Sequence, residues 1–126
     1  MITEDYVSFE TAKLLKERGF DENLLVCYTP DGLFARSYGI KMYTNESEDS
    51  AVECICPTLQ MAMKWLREVH KLYCDIKIGD GDFVIDIISL KDGEFGCEVT
   101  EPESCVYPTY EEACEAAIKY CLENLI

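Results

Sequence analysis

Long apolar runs are missing from this sequence, and none approaches the ~20 residues that a helix needs to cross a bilayer. The opening residues, Met1-Ile2-Thr3-Glu4-Asp5, carry neither the basic start nor the apolar stretch of a secretory leader, so a cytoplasmic setting is expected. Histidine occurs once, as His70, which leaves a nucleophilic thiol only one imidazole to serve as its base. Basic residues are scarce as well, with 11 Lys and Arg against 25 Asp and Glu, for a net charge of −14. The scarcity is uneven. Residues 1–79 hold 13 acids and 9 bases, whereas residues 80–126 hold 12 acids and, as bases, only Lys91 and Lys119. A field of that sign repels nucleic acid and anionic membrane surfaces, which argues against direct binding to either. It favours a basic partner protein, although negative charge also serves simply to keep a small protein in solution.

What is present suffices for a core. The chain has 126 residues, 48% of them hydrophobic and 11% aromatic, and reads as a single α+β domain over 1–126. Eight cysteines would allow 105 disulfide pairings, but nothing in the sequence points to an oxidising compartment. Most of them occupy apolar positions: Cys114 and Cys121 share a helical face, and Cys74 and Cys97 alternate along strands. Reduced cysteine packs as a small hydrophobe, so core thiols are expected.

Along the chain, Ser8 caps a first helix to about Arg18, with Phe9, Ala12, Leu14 and Leu15 apolar and Gly19 placed to end it. Leu24–Thr29 and Leu33–Tyr38 read as strands joined at Pro30-Asp31-Gly32. Residues 41–50 are polar and aperiodic, hence a loop. A short strand, Val52–Cys56, leads to a helix capped by Thr58 and running to about Lys71, with Leu59, Ala62, Met63, Leu66 and Val69 as its stripe. Tyr73–Ile78 alternates cleanly, and Phe83–Leu90, apolar on both faces apart from Asp86 and Ser89, reads as a central strand. Asp92-Gly93 turns the chain into a strand at Phe95–Val99. The last helix opens with the capping box Thr109-x-x-Glu112 and keeps helical spacing through Tyr110, Ala113, Cys114, Ala117, Ile118, Cys121, Leu122 and Leu125. Asp31-Gly32-Leu33-Phe34 before Pro57-Thr58, and Asp80-Gly81-Asp82-Phe83 before Pro108-Thr109, suggest an internal β-β-β-α duplication.

Several constellations bear on chemistry. Cys54, Cys56, His70 and Cys74 form the weak candidate for zinc, but one residue between paired cysteines holds both thiols on an extended strand instead of curling around an ion. The ordinary reading is core cysteines beside a histidine at a helix end. Cysteine–histidine catalysis around His70 lacks a nucleophile elbow and an oxyanion loop, so no catalytic residue is assigned. Asp86 stands out as an acid within an apolar strand. Gly79-Asp80-Gly81-Asp82 lacks the ligand spacing of an EF-hand and the Lys-Ser/Thr of a P-loop, and a turn accounts for it. Met61, Met63 and Trp65 suit an adaptable partner face, but their helical spacing favours core packing. No feature calls for a cofactor.

Three segments, VSFETAKLLKERGFDE (7–22), PTLQMAMKWLREVHK (57–71) and YEEACEAAIKYCLENLI (110–126), carry a resemblance. They are similar to small proteins of Bacteroides-type gut bacteria and their phages to which no function is attached. The resemblance covers the three helices, and it implies a bacterial or phage, intracellular setting, often on a mobile element. The residues themselves lead to an antiparallel sheet with three helices mainly on one face, in the order α-β-β-β-α-β-β-β-α. A second copy is a natural cover for a sheet face left open, so a homodimer is expected. The leading functional expectation is a non-enzymatic accessory protein that binds a basic partner through Glu94, Glu98, Glu101, Glu103, Glu111, Glu112 and Glu115. In a phage setting that includes mimicry of DNA. The alternative is a small hydrolase or transferase with a site near His70 and the cysteines.

Overall fold

The computed structural model describes residues 2–91, 97–100 and 106–126. The chain divides into two compact units, Met1–Thr58 and Leu59–Ile126.

In the first unit Ser8 caps helix α1 (Phe9–Glu17) as its spacing predicts, its Oγ accepting from the Thr11 N–H. Gly19 takes φ +92° directly after the helix, and the Phe20 N–H returns to the Leu15 carbonyl at 2.9 Å. Phe20 is thereby tucked into the core with Val7, Ala12 and Leu15. Strands β1 (Val26–Tyr28) and β2 (Phe34–Arg36) form the expected hairpin, with Gly32 at φ +79° in its turn. β3 (Cys54–Ile55) pairs with the other side of β1, so the sheet runs β2-β1-β3, all antiparallel. α1 packs against β3. The polar stretch 41–50 is a loop, but a tied one. The Asn45 side chain donates to the Phe20 carbonyl at 2.6 Å and accepts the Ile55 N–H at 2.8 Å, while its own N–H reaches Asp21 at 2.7 Å.

The second unit begins with α2 (Leu59–Val69), immediately after Thr58. Leu59, Ala62, Met63 and Leu66 are buried as the stripe requires, but Val69 lies on the exposed side. The helix stops there because Lys71 adopts φ 58°, a left-handed conformation that turns the chain into β4 (Leu72–Ile78). β4 pairs along its whole length with β5 (Phe83–Ser89). On the far side of β5 lie β6 (Cys97–Thr100), beside Ile87–Ser89, and β7 (Val106–Tyr107), beside Phe83–Val84. β5 is therefore the central strand its composition predicts. Helix α3 (Tyr110–Asn124) follows, capped by Thr109, whose Oγ1 accepts the Glu112 N–H at 3.1 Å. Ala113, Cys114, Ala117, Ile118, Cys121 and Leu122 are all buried. α3 packs on β4, β5 and β7, and α2 packs on α3 and β4, so both helices cover one face of this sheet. Fully burying each Ile or Leu on such a face contributes roughly 1.5–3 kcal/mol.

The chain is thus α+β, and among the described residues there are three helices, as expected, but two sheets instead of one and seven strands instead of six. β7 has two residues, too few for an alternating signal, and its pairing with β5 spans more than twenty positions. The similarity of turns and caps between the halves does not extend to topology. The third strand lies beside the first strand of the hairpin in one unit (β3 on β1) and beside the second in the other (β6 on β5).

Candidate interaction site

Strand register gathers one end of the second unit. Ile78 is paired with Phe83, and Phe83 with Tyr107, so the three share the face on which α3 lies. The Phe83 ring meets Tyr110 edge-on, with centroids 6.1 Å apart. Ile78 nevertheless remains 83% exposed and Tyr110 38% exposed. Carboxylates from two places in the sequence flank these residues along the chain. Asp80 and Asp82 come from the β4–β5 turn, and Glu111 and Glu112 from the first turn of α3. Asp80, Glu111 and Glu112 are exposed, and none of the four has an ion-pair partner among the described residues.

The turn itself explains how Asp80 is presented. The Gly79 N–H donates to the Asp82 carbonyl at 2.8 Å, Gly81 sits at φ +79°, and the Asp82 carboxylate folds back to within 2.5 Å of where a Gly79 Cβ would stand. A side chain at position 79 would collide with it. The acids of α3 lie in the first turn, where the helix dipole favours negative charge.

Of the acids expected to bind a partner, Glu111 and Glu112 are exposed and Glu115 is half-buried one turn further on. Glu98 lies on β6, opposite Ile88. Glu94, Glu101 and Glu103 lie outside the described residues, as does the turn at Asp92-Gly93. Asp80 and Asp82 are the members that sequence reasoning missed. They count in the charge of the C-terminal half, but their nearness to Glu111 depends on the pairing of Phe83 with Tyr107.

His70 and the thiols form separate environments. His70 stands just beyond α2, its ring edge-on to Trp65 at 4.6 Å, and its Nε2 is buried without a hydrogen-bond partner. Burial, then the nearby Lys91 charge, holds its pKa below the ordinary imidazole value. The Cys74 Sγ lies 3.9 Å from the Cys121 Sγ. That contact, and then burial, pushes the Cys74 thiol far up, so it stays protonated and poorly nucleophilic. Cys54 is pushed up to about 11, chiefly by burial. Cys56 donates weakly to the Val7 carbonyl at 3.7 Å. Cys27, Cys54, Cys56, Cys74, Cys114 and Cys121 are free thiols. Among the described residues no three His, Cys, Asp or Glu side chains gather as a metal site would need, Cys54, Cys56, His70 and Cys74 included.

Asp86 has an ordinary explanation. It faces away from the helices, directly opposite Asp75, and both carboxylates bind Lys77, the Asp75 contact being 3.8 Å. The ammonium offsets a like-charge pair across adjacent strands. Met63 is buried as core packing predicts, while Met61 lies at the border of the stripe.

Among the described residues no helix is long and apolar enough to cross a membrane. No family, no curated protein and no solved structure matches the chain.

Proposed function

We propose that the chain is a non-enzymatic interaction protein that captures a basic partner protein. The reading rests on one observation: exposed Ile78 and Tyr110 both adjoin Phe83, and the exposed carboxylates of Asp80, Glu111 and Glu112 lie within two residues of them in the sequence. Apolar area beside like charge suits a segment that is both cationic and amphipathic, because desolvating the apolar area adds to the charge attraction. Glu94, Glu98, Glu101, Glu103 and Glu115 add to the negative charge of the same C-terminal half of the sequence. The two raised thiols and the unpartnered imidazole are poor material for a nucleophile–base pair, which supports a binding role over a hydrolase or transferase. The resemblance of the helices supports a cytoplasmic, phage- or mobile-element-encoded setting.

The test uses a helical Lys/Leu peptide as a basic probe and its Gln/Leu counterpart as the neutral control. Calorimetry should find binding of the basic probe that weakens as salt rises, and little binding of the neutral one. The triple variant Asp80→Lys, Glu111→Lys, Glu112→Lys should lower the affinity at least tenfold. Equal affinity for both probes, or no loss in the variant, removes the proposal.

A further inference from the structure

The open edge of the first sheet points to a partner of a different kind, independently of any basic protein. β2 is the outermost strand, and among the described residues no strand pairs with its other side. Backbone parity settles which groups that edge presents. The Thr29 N–H donates to the Leu33 carbonyl at 2.9 Å and the Ser37 N–H to the Leu25 carbonyl at 2.8 Å. Residues 33, 35 and 37 therefore face β1, and the N–H and C=O groups of Phe34 and Arg36 point outward. Phe34 is 46% exposed and Leu33 65% exposed, and Tyr38 and Ile40 beyond them are fully exposed.

We propose that the occupant of this edge is a second copy of the same chain, joined by antiparallel pairing of β2 with β2 about a two-fold axis at Ala35. That axis sets Phe34 opposite Arg36 of the second copy, and Arg36 opposite its Phe34. The outward groups of these residues then exchange about four main-chain hydrogen bonds. The side chains are complementary too. Within one chain the Arg36 guanidinium already lies 6.0 Å from the Phe34 ring centroid and donates to the Tyr6 hydroxyl at 3.1 Å. Pairing adds a second cation to each ring face. Ala35, on the axis, has too small a side chain to hold the strands apart.

Charge selects this edge. Two chains of net −14 repel each other wherever acids meet, but residues 32–45 contain Arg36 and Lys41 and no acid. β4, the outer strand of the other sheet, instead carries Asp75 and Lys77, the kind of charge that discourages edge pairing. The result is an isologous, closed pair whose sheet runs continuously through six strands, in the order β3-β1-β2-β2-β1-β3.

The experiment is sedimentation equilibrium of the full chain, with the variants Arg36→Pro and Arg36→Glu. Proline at position 36 removes an outward N–H without touching the β1 ladder, and glutamate places a carboxylate against the ring. The wild type should show twice 14.4 kDa at about 100 μM. Each variant should raise the dissociation constant at least tenfold with an unchanged far-ultraviolet spectrum. Where a variant fails to fold, exchange of the wild-type Phe34 and Arg36 amides decides, since pairing makes their protection rise with protein concentration. A wild type that stays monomeric, forms open-ended polymers, or shows concentration-independent exchange at these amides overturns the proposal, as does a dimer unaffected by both variants.

Discussion

Up to Thr58 the strands are two or three residues long, and the side chain of Asn45 makes the joins between α1 and β3. After Leu59 two seven-residue strands lie beneath helices of 11 and 15 residues, and the contact is almost wholly apolar. The first unit therefore adds directed polar contacts to an apolar core of Val7, Ala12, Leu15, Phe20 and Ile55, whereas the second relies on buried area. Directed contacts are the more fragile kind, since losing one partner leaves the other desolvated and unpaired. Buried area fails in proportion to what is removed.

Each unit thus has its own way of breaking. The largest effect is expected from Ile85→Ala, which empties the centre of the second sheet and should cost about 3–4 kcal/mol. A urea titration followed by Trp65 emission would read it as a lower midpoint. Asn45→Ala should cost about 2–3 kcal/mol by orphaning the Ile55 N–H and the Phe20 carbonyl, both on buried residues. Exchange of the Ile55 amide, accelerated at least tenfold, is its local signature. If Asn45→Ala proves silent, the contrast between the units is wrong.

The pH profile should split the units in opposite directions. Cys54, in the first, has its folded pKa raised above its ordinary value of 9.0 to about 11. Its contribution to stability is complete below pH 9 and is lost as pH climbs through that interval. His70, in the second, has its folded pKa lowered from its ordinary 6.5. It favours the fold above that value and ceases to do so as pH falls through its lowered pKa. Amide exchange at Ile55 should accelerate at the alkaline end and at Ile85 at the acid end, and Cys54→Ala and His70→Gln should flatten the respective limbs. The smallest effect sharpens the comparison from the other side. Lys71→Gly removes the strain of a left-handed lysine and should gain about 0.5–1 kcal/mol, raising the melting temperature by a few degrees.

What the sequence makes legible is local. The caps Ser8 and Thr109, the Gly19 stop and the face of α3 follow from side chains within a turn of one another, and the structure has each in place. The central position of β5 is legible too, since only a strand flanked on both sides tolerates so apolar a run. What escapes depends on distant pairing. Asn45 is 25 residues from Phe20 and 10 from Ile55, and a polar residue in a polar loop gives no sign of such contacts. Asp86 reads as an anomaly until Lys77 and Asp75 are set beside it on β4. The candidate site behaves likewise: the charge of Glu111 and Glu112 is visible in the sequence, but the grouping of Ile78, Phe83 and Tyr107 is assembled by register.

The contact between Trp65 and His70 has an optical consequence. The chain's only indole rests against its only imidazole, and a protonated imidazole draws electron density from an excited indole and dims it. Ultraviolet-excited brightness of the intact protein should accordingly darken on acidification with a midpoint below 6.5, so the molecule carries a built-in, label-free proton gauge at the end of α2.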